Sequence, residues 1–165
     1  MRTVHDRFAK QFSLTTNDQR LTTNDQRLMP DTFQLEIVTP EKKVVDVAAT
    51  EAQIPGKNGY LGVLPGHAPL ITELAIGEIT YRAGAEEQRL AVAWGFAEVL
   101  PDRVTILAET AERPSEIDVE RARKAKERAE KELTSGDINV DVERALAAQK
   151  KAETRLDVAG GKGLS

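Results

Sequence analysis

The chain has 165 residues, no cysteine, and 27 aspartate and glutamate residues against 23 lysine and arginine residues. A formal net charge of −4 gives no basic surface for nucleic acid. The lack of cysteine excludes disulfides and thiolate metal sites, and two histidines are too few for a histidine-rich metal centre. No apolar run approaches the roughly 18 residues of a membrane span. The N-terminus lacks the apolar core of a secretory signal, so a soluble protein facing the cytosol is expected.

The first 32 residues are polar and contain a tandem repeat. The heptapeptide LTTNDQR occupies residues 14–20 and recurs unchanged at 21–27. Two copies of a polar seven-residue unit cannot bury the shared core on which repeat folds depend. The composition therefore predicts a disordered extension over residues 1–32.

Residues 33–114 have the pattern of a β domain. Phe33, Leu35 and Ile37 alternate with polar residues, which is the period of a half-buried strand. A more continuously apolar run, LAVAWGFAEVL, occupies residues 90–100. Short strands separated by turns containing Gly and Pro favour a sandwich or barrel over a fold in which strands and helices alternate.

From residue 115 the chain is rich in alanine and charged residues. Ser115, with an acid three residues later, is a capping signal that predicts the start of a helix. The apolar stripes of two successive helices comprise Ala122, Ala125, Ala129 and Leu133, then Val142, Ala145, Ala152 and Leu156. The segment TSGDIN at 134–139 separates them. The pattern predicts an antiparallel two-helix hairpin over residues 115–158, followed by a flexible tail over 159–165.

The predicted hairpin has little apolar surface with which to pack. Alanine buries a small area, so the gain at ~25 cal/mol per Å² is small. Ordering each residue costs ~1–2 kcal/mol. We therefore expect a marginally stable hairpin that detaches when a partner offers a better surface.

The loop YLGVLPGHAPLI at residues 60–71 contains His67 among glycine and proline residues. A histidine on a tight loop is one mark of an active site, and a hydrolase that uses His67 with carboxylates from neighbouring strands is one interpretation. The adjacent residues supply rigidity and apolar surface instead of proton partners. They favour a docking loop.

The hairpin also carries a candidate anion site. Asp118 and Arg121 share a face of the first helix with Arg128, because these residues are three and seven apart. Lys151 and Arg155 share a face of the second helix. Antiparallel pairing brings the basic groups together, where guanidinium groups bind phosphate. A solvated charged face is the simpler interpretation of the residues alone.

Three segments resemble the epsilon subunit of the bacterial F-type ATP synthase. They are TPEKKVVD with GKNGYLGVLPGHAPLITEL, GFAEVLPDRVTILAETAER, and EIDVERARKAKERAEKEL. The resemblance extends from about Phe33 to about Val158. It implies an N-terminal β-sandwich of about ten strands at residues 33–114 and the two-helix hairpin as a regulatory domain.

The resemblance also implies partners. The subunit lies in the central rotor of a proton-translocating synthase and couples the gamma subunit to the c-ring. Tyr60 and His67 match the family's c-ring side, and Leu70 and Thr72 match the side nearer gamma. When the two helices extend, they reach the alpha and beta subunits and inhibit ATP hydrolysis. Family members lie peripherally on the cytoplasmic face of the bacterial inner membrane and do not insert into it.

Some family members bind ATP on the folded hairpin through the motif I/L-D-x-x-R-A, which stands here as IDVERA at residues 117–122. The matching positions are Glu112, Ile117, Asp118, Arg121, Ala122, Arg128, Lys151 and Arg155. Lys151 replaces an arginine of the ATP-binding members and loses its bidentate fork. The resemblance thus implies a non-catalytic subunit with regulatory ATP, no required cofactor and no metal. The alternatives are a β-sandwich adaptor with a fixed helical hairpin and the His67 hydrolase.

Overall fold

The computed structural model describes residues 31–161. Within this part of the chain, eight strands precede two helices. The strands are β1 (Phe33–Val38), β2 (Lys43–Ala49), β3 (Glu51–Gly56), β4 (Gly59–Val63), β5 (Leu70–Glu73), β6 (Gly77–Ala83), β7 (Glu86–Val99) and β8 (Arg103–Glu112). The helices are α1 (Val119–Thr134) and α2 (Val142–Gly160). The expectation of a disordered extension with its tandem repeat concerns residues 1–32, of which 1–30 lie outside the described residues.

The strands form one hydrogen-bonded sheet in the order β2-β1-β8-β7-β6-β3-β4, and β5 pairs with β7. Strands β1 and β8 are parallel, while the other pairs are antiparallel. The first half of β7 pairs with β6 and its second half with β5 and β8. Because one long strand serves both halves of the sheet, the described residues contain eight strands instead of about ten.

The core lies between the inward faces of these strands. The predicted alternation of β1 is confirmed, since Phe33, Leu35 and Ile37 are all buried. Ile79 and Tyr81 of β6 and Ile106 of β8 belong to the same apolar cluster. Period-two patterning thus gives each strand one apolar face, and closing these faces on one another forms the sandwich.

Strand β7 is distorted at Trp94 and Gly95. Trp94 has φ of 54° and Gly95 has φ of 123°, both in the left-handed region. A Cβ atom on Gly95 would lie 1.9 Å from the carbonyl oxygen of Leu107. Glycine at position 95 therefore permits the close approach of β8.

The helical hairpin follows a 3-10 turn at Pro114–Glu116. The prediction that Ser115 caps the first helix is wrong, because α1 begins at Val119 and Asp118 is its N-cap. The Asp118 side chain accepts a hydrogen bond from the backbone N–H of Arg121, at 2.9 Å. Pro114 begins a 3-10 turn that occupies the residues just before Asp118. Helix α1 therefore starts about one turn later than expected.

The two helices are antiparallel, because Lys126 pairs with Glu153 and Glu132 pairs with Arg144. Ala122, Ala129, Ala145 and Ala152 are buried, as the stripes predict. Val142 was expected on the second stripe but is 55% exposed. It occupies the first position of α2, next to the turn between the helices. Helix α2 runs to Gly160, so residues 159 and 160, assigned to the flexible tail, are helical.

Candidate functional site

A cavity of about 350 Å³ lies where the end of β8, the start of α1 and the middle of α2 meet. Its lining consists of Glu112, Glu116, Asp118, Arg121, Ala122, Ala125, Arg128 and Arg155. Six of these residues are among the eight candidates taken from the sequence. The fold thus brings together residues that are up to 43 positions apart, such as Glu112 and Arg155.

Each acid of the cavity already has a partner. Glu112 forms an ion pair with Arg155, and Asp118 caps α1. Glu116 accepts hydrogen bonds from the Lys42 ammonium at 2.6 Å and from the backbone N–H of Arg113 at 3.0 Å. These two bonds, the Lys42 bond above all, lower the pKa of Glu116. The acids therefore hold the cavity wall together, and the lowered pKa keeps Glu116 ionised at neutral pH.

Two guanidinium groups of the cavity remain available. Among the residues that the structure describes, no carboxylate forms an ion pair with Arg121 or Arg128. The Nε of Arg128 donates only to the Lys124 carbonyl, at 3.3 Å. Both residues also line an open groove along the outer face of α1, of about 610 Å³. Unpaired arginines beside a cavity suit a phosphate-bearing ligand.

Ile117 and Lys151 do not line this cavity. Ile117 is buried in a small apolar cluster with Ala91 and Val158, where it anchors the start of the hairpin. The Lys151 ammonium lies 3.5 Å from the centre of the Trp94 ring. Burial, and then repulsion from Arg155, lowers the pKa of Lys151, while Glu109 acts in the opposite direction.

Two lining residues were missed by the sequence analysis. Ala125 is four residues from Arg121 and three from Arg128, so helical spacing alone places it on the same face. No sequence spacing places Glu116 in the cavity, because Glu116 lies in the 3-10 turn and not in α1. Its side chain is held by the ion pair with Lys42, a residue 74 positions away.

The His67 loop contains backbone contacts and no carboxylate partner among the described residues. The Nδ1 of His67 lies 2.8 Å from the Ala68 carbonyl oxygen, and its backbone N–H donates to Leu64. The Gly66 N–H donates to the Pro101 carbonyl at 2.7 Å, which ties the loop to the turn before β8. The loop is held rigid by main-chain hydrogen bonds, as its glycine and proline content predicts.

Tyr60 and the β5 residues lie on other parts of the sandwich. The Tyr60 hydroxyl accepts a hydrogen bond from the Glu78 N–H, and its ring is half exposed. Leu70 and Thr72 are only partly exposed. Between them Ile71 is 73% exposed, so it is the residue of β5 that presents apolar surface.

Ile71 belongs to an exposed apolar patch, which we define as Ile71, Phe96 and Leu107. Phe96 is paired with Leu107 across β7 and β8, and both side chains are more than half exposed. Ile71 is paired with Glu98, two residues from Phe96 on the same face of β7. Three large apolar side chains on adjacent strands are typical of a protein interface.

The comparisons with known proteins agree on one family. The model of the ATP synthase delta/epsilon chain β-sandwich domain matches residues 32–114, and that of its long α-helix domain matches residues 115–160. The chain belongs to the ATP synthase delta/epsilon family. Both halves of the described structure thus have a counterpart in the family, in the order in which they occur here.

Two bacterial relatives and one solved structure illustrate the family resemblance. The ATP synthase epsilon chain of Koribacter versatilis is 71% identical over 109 residues, which are 66% of this chain and 77% of that one. That of Halalkalibacterium halodurans is 47% identical over 130 residues, or 78% and 98% of the two chains. A chain in the cryo-EM structure of Euglena gracilis mitochondrial ATP synthase, which includes F1 and the c-ring, is 26% identical, with a TM-score of 0.69 and coverage of 79% and 82%.

Neither described helix is long and apolar enough to cross a membrane. Over the described residues no group of three or more histidine, aspartate or glutamate side chains could hold a metal ion. The arginine-lined cavity of the hairpin is the candidate site of this family member.

Proposed function

We propose that this chain is the epsilon subunit in the central stalk of a proton-translocating F-type ATP synthase. The two consecutive family models, which together span residues 32–160, carry this proposal. The curated relatives are named epsilon chains, and the solved relative is part of an assembly with F1 and the c-ring. As such a subunit, the chain is peripheral on the cytoplasmic face of the bacterial inner membrane.

In this proposal the β-sandwich makes the permanent contacts with the gamma subunit and the c-ring. The apolar patch of Ile71, Phe96 and Leu107 is the surface we assign to the gamma subunit. Leu70 and Thr72 alternate with Ile71 along β5 and lie on its opposite face, where Leu70 packs against the core, so they are not part of this surface. The rigid loop around His67, together with Tyr60, is assigned to the c-ring. Non-catalytic docking fits His67 better than hydrolysis does, because its polar contacts are to main-chain groups.

The hairpin supplies the regulatory part. Helix α2 packs on β6 and β7, while α1 packs mainly on α2. The buried side chains between the helices are mostly alanines, so each contributes little apolar area. Such a hairpin can change between two packings that differ by a few kcal/mol. In the extended state it reaches the alpha and beta subunits and inhibits ATP hydrolysis, which a fixed hairpin in an adaptor cannot do.

ATP is the proposed ligand of the folded hairpin. Arg121 and Arg128 of α1 and Arg155 of α2 face one cavity, so a bound phosphate chain joins the two helices. A ligand that binds only the folded state shifts the hairpin toward that state. The subunit binds ATP in this proposal but does not cleave it.

The hairpin proposal is tested in the assembled complex of alpha, beta, gamma and this subunit. A chain that ends after Arg113 keeps all eight strands and loses both helices. We expect the truncated complex to assemble and to hydrolyse ATP faster than the complex with the full chain. Equal rates in the two complexes would contradict an inhibitory hairpin, and failure of both chains to join the complex would contradict the subunit assignment.

ATP binding is tested by isothermal titration of the full-length chain. Arg128→Ala should abolish the binding heat, because it removes an unpaired guanidinium of the cavity. Arg123→Ala is the matched control, since Arg123 is on the same helix but is paired with Glu120 and does not line the cavity. No heat from the wild-type chain at millimolar ATP would rule out the site.

A further inference from the structure

The only tryptophan of the chain makes a contact between the sandwich and the hairpin. Trp94 lies on β7, and the Lys151 ammonium of α2 is 3.5 Å from the centre of its ring. A cation within about 6 Å of an indole face is attracted by the ring quadrupole, and tryptophan is the strongest partner for such a contact. The contact thus joins the helical hairpin to the β-sandwich.

The backbone at Trp94 is strained in the conformation that makes this contact. Its φ of 54° is left-handed, which is a genuine outlier for a bulky residue. The regular pairing of β7 with β8 includes Ala93 and Gly95 but omits Trp94 between them. Strain of this kind persists only where the surroundings determine it, and it is concentrated at clamps and switches.

Two cations of α2 contact different groups. Lys151 and Arg155 are one helical turn apart, so they share a face of α2. Arg155 pairs with Glu112 and lines the cavity, whereas Lys151 is held at Trp94 and is absent from the lining. The other charged groups that act on Lys151 are Arg155 and Glu109, and their charges oppose each other.

We propose that Trp94 is a positioning residue that holds Lys151 against β7 and so latches α2 to the sandwich without nucleotide. The folded hairpin of this chain is then stabilised by its own side chains, and ATP adds to that stability instead of creating it. The latch goes beyond the proposed function, on which it depends only for its effect on ATP hydrolysis.

The test is hydrogen exchange of the α2 amides in the full-length chain, without nucleotide or partner subunits. Lys151→Met keeps most of the side-chain length and removes the charge, and α2 should exchange roughly two- to thirty-fold faster, the span of measured cation–π contacts. Lys151→Arg should restore slow exchange, because a guanidinium also stacks on an indole. Lys150→Met is the matched control, since Lys150 is the exposed neighbour and should change nothing.

A double-mutant cycle with Trp94→Leu separates the latch from general packing. If the ring holds Lys151, the effect of Lys151→Met should disappear in the Trp94→Leu background. Wild-type exchange rates in Lys151→Met would overturn the latch, as would an equal effect of Lys151→Met in both backgrounds. Should Trp94→Leu fail to fold, failure of Lys151→Arg to restore slow exchange would also overturn it. A failed hydrolysis test would instead count only against the proposed function.

Discussion

At the scale of the residue, Glu78 is a buried carboxyl group whose ionisation the fold opposes. It is 5% exposed, and its Oε1 makes no hydrogen bond although Arg89 Nε lies 3.4 Å away. Burial raises its pKa above the ordinary value of 4.5, against the attraction of Arg89 and with repulsion from Asp157 of α2 and Glu87 of β7. Because the native pKa is the higher one, Glu78 contributes stability that is present below pH 4.5 and lost as pH rises through the native pKa.

We therefore expect the stability of the wild-type chain, relative to Glu78→Gln, to fall as pH rises from about 4.5. Urea unfolding of both chains across pH 4 to 8 gives the difference in free energy of unfolding. Glu98→Gln is the control, because Glu98 is an exposed residue of the adjacent strand. A difference for Glu78→Gln that stays constant over this range would show that Glu78 has its ordinary pKa in the native chain.

Glu78 also shows what the sequence could and could not predict. In β6 the period-two alternation places Ile79 and Tyr81 on the core face, and by the same rule Glu78 would lie on the opposite, solvated face. Glu78 is nevertheless buried, because that face packs against α2. The sequence pattern specifies the two faces of a strand, but which face a later helix covers depends on tertiary packing. The same limit explains Lys151, whose helical spacing with Arg155 did not reveal its contact with Trp94.

At the scale of the element, each helix of the hairpin begins with an aspartate cap. Asp118 accepts a hydrogen bond from Arg121 N–H, and Asp141 accepts one from Arg144 N–H. The sequence pattern did not identify Asp118 as an N-cap equivalent to Asp141, because Ser115 is a competing capping signal. In the structure Ser115 lies in the 3-10 turn and does not cap α1. Only Asp118 also lines the arginine cavity.

Replacing either aspartate cap with alanine should destabilise its helix by about 1 kcal/mol. The measurement is hydrogen exchange in the first turn of α1 for Asp118→Ala and of α2 for Asp141→Ala. Isothermal titration should then show weaker ATP binding for Asp118→Ala, beyond the effect of Asp141→Ala, because the cap of α2 is remote from the cavity. An identical loss of ATP affinity in both variants would mean that Asp118 acts only by stabilising the hairpin.

At the scale of the whole molecule, the sandwich exposes apolar surface that its own hairpin does not cover. Phe96 and Leu107 lie side by side on the second half of β7 and on β8, while α2 packs on β7 and β6. The acidic side chains of Glu73 and Glu98 are on the same face. A sheet face with large apolar residues and an acidic border suits a partner with apolar surface and basic residues around it.

Substituting Ile71→Ser and Phe96→Ser together should weaken association with the gamma-containing complex roughly tenfold or more, as expected for apolar anchors of an interface. Co-purification and titration of the complex measure the affinity, and the melting temperature of the free chain should change little because both side chains are exposed. Ile138→Ser is the matched control, since Ile138 is 95% exposed in the turn between the helices. Unchanged affinity of the double variant would show that gamma binds another face, and the exposed apolar side chains of the His67 loop, such as Leu64, would then be the next surface to test.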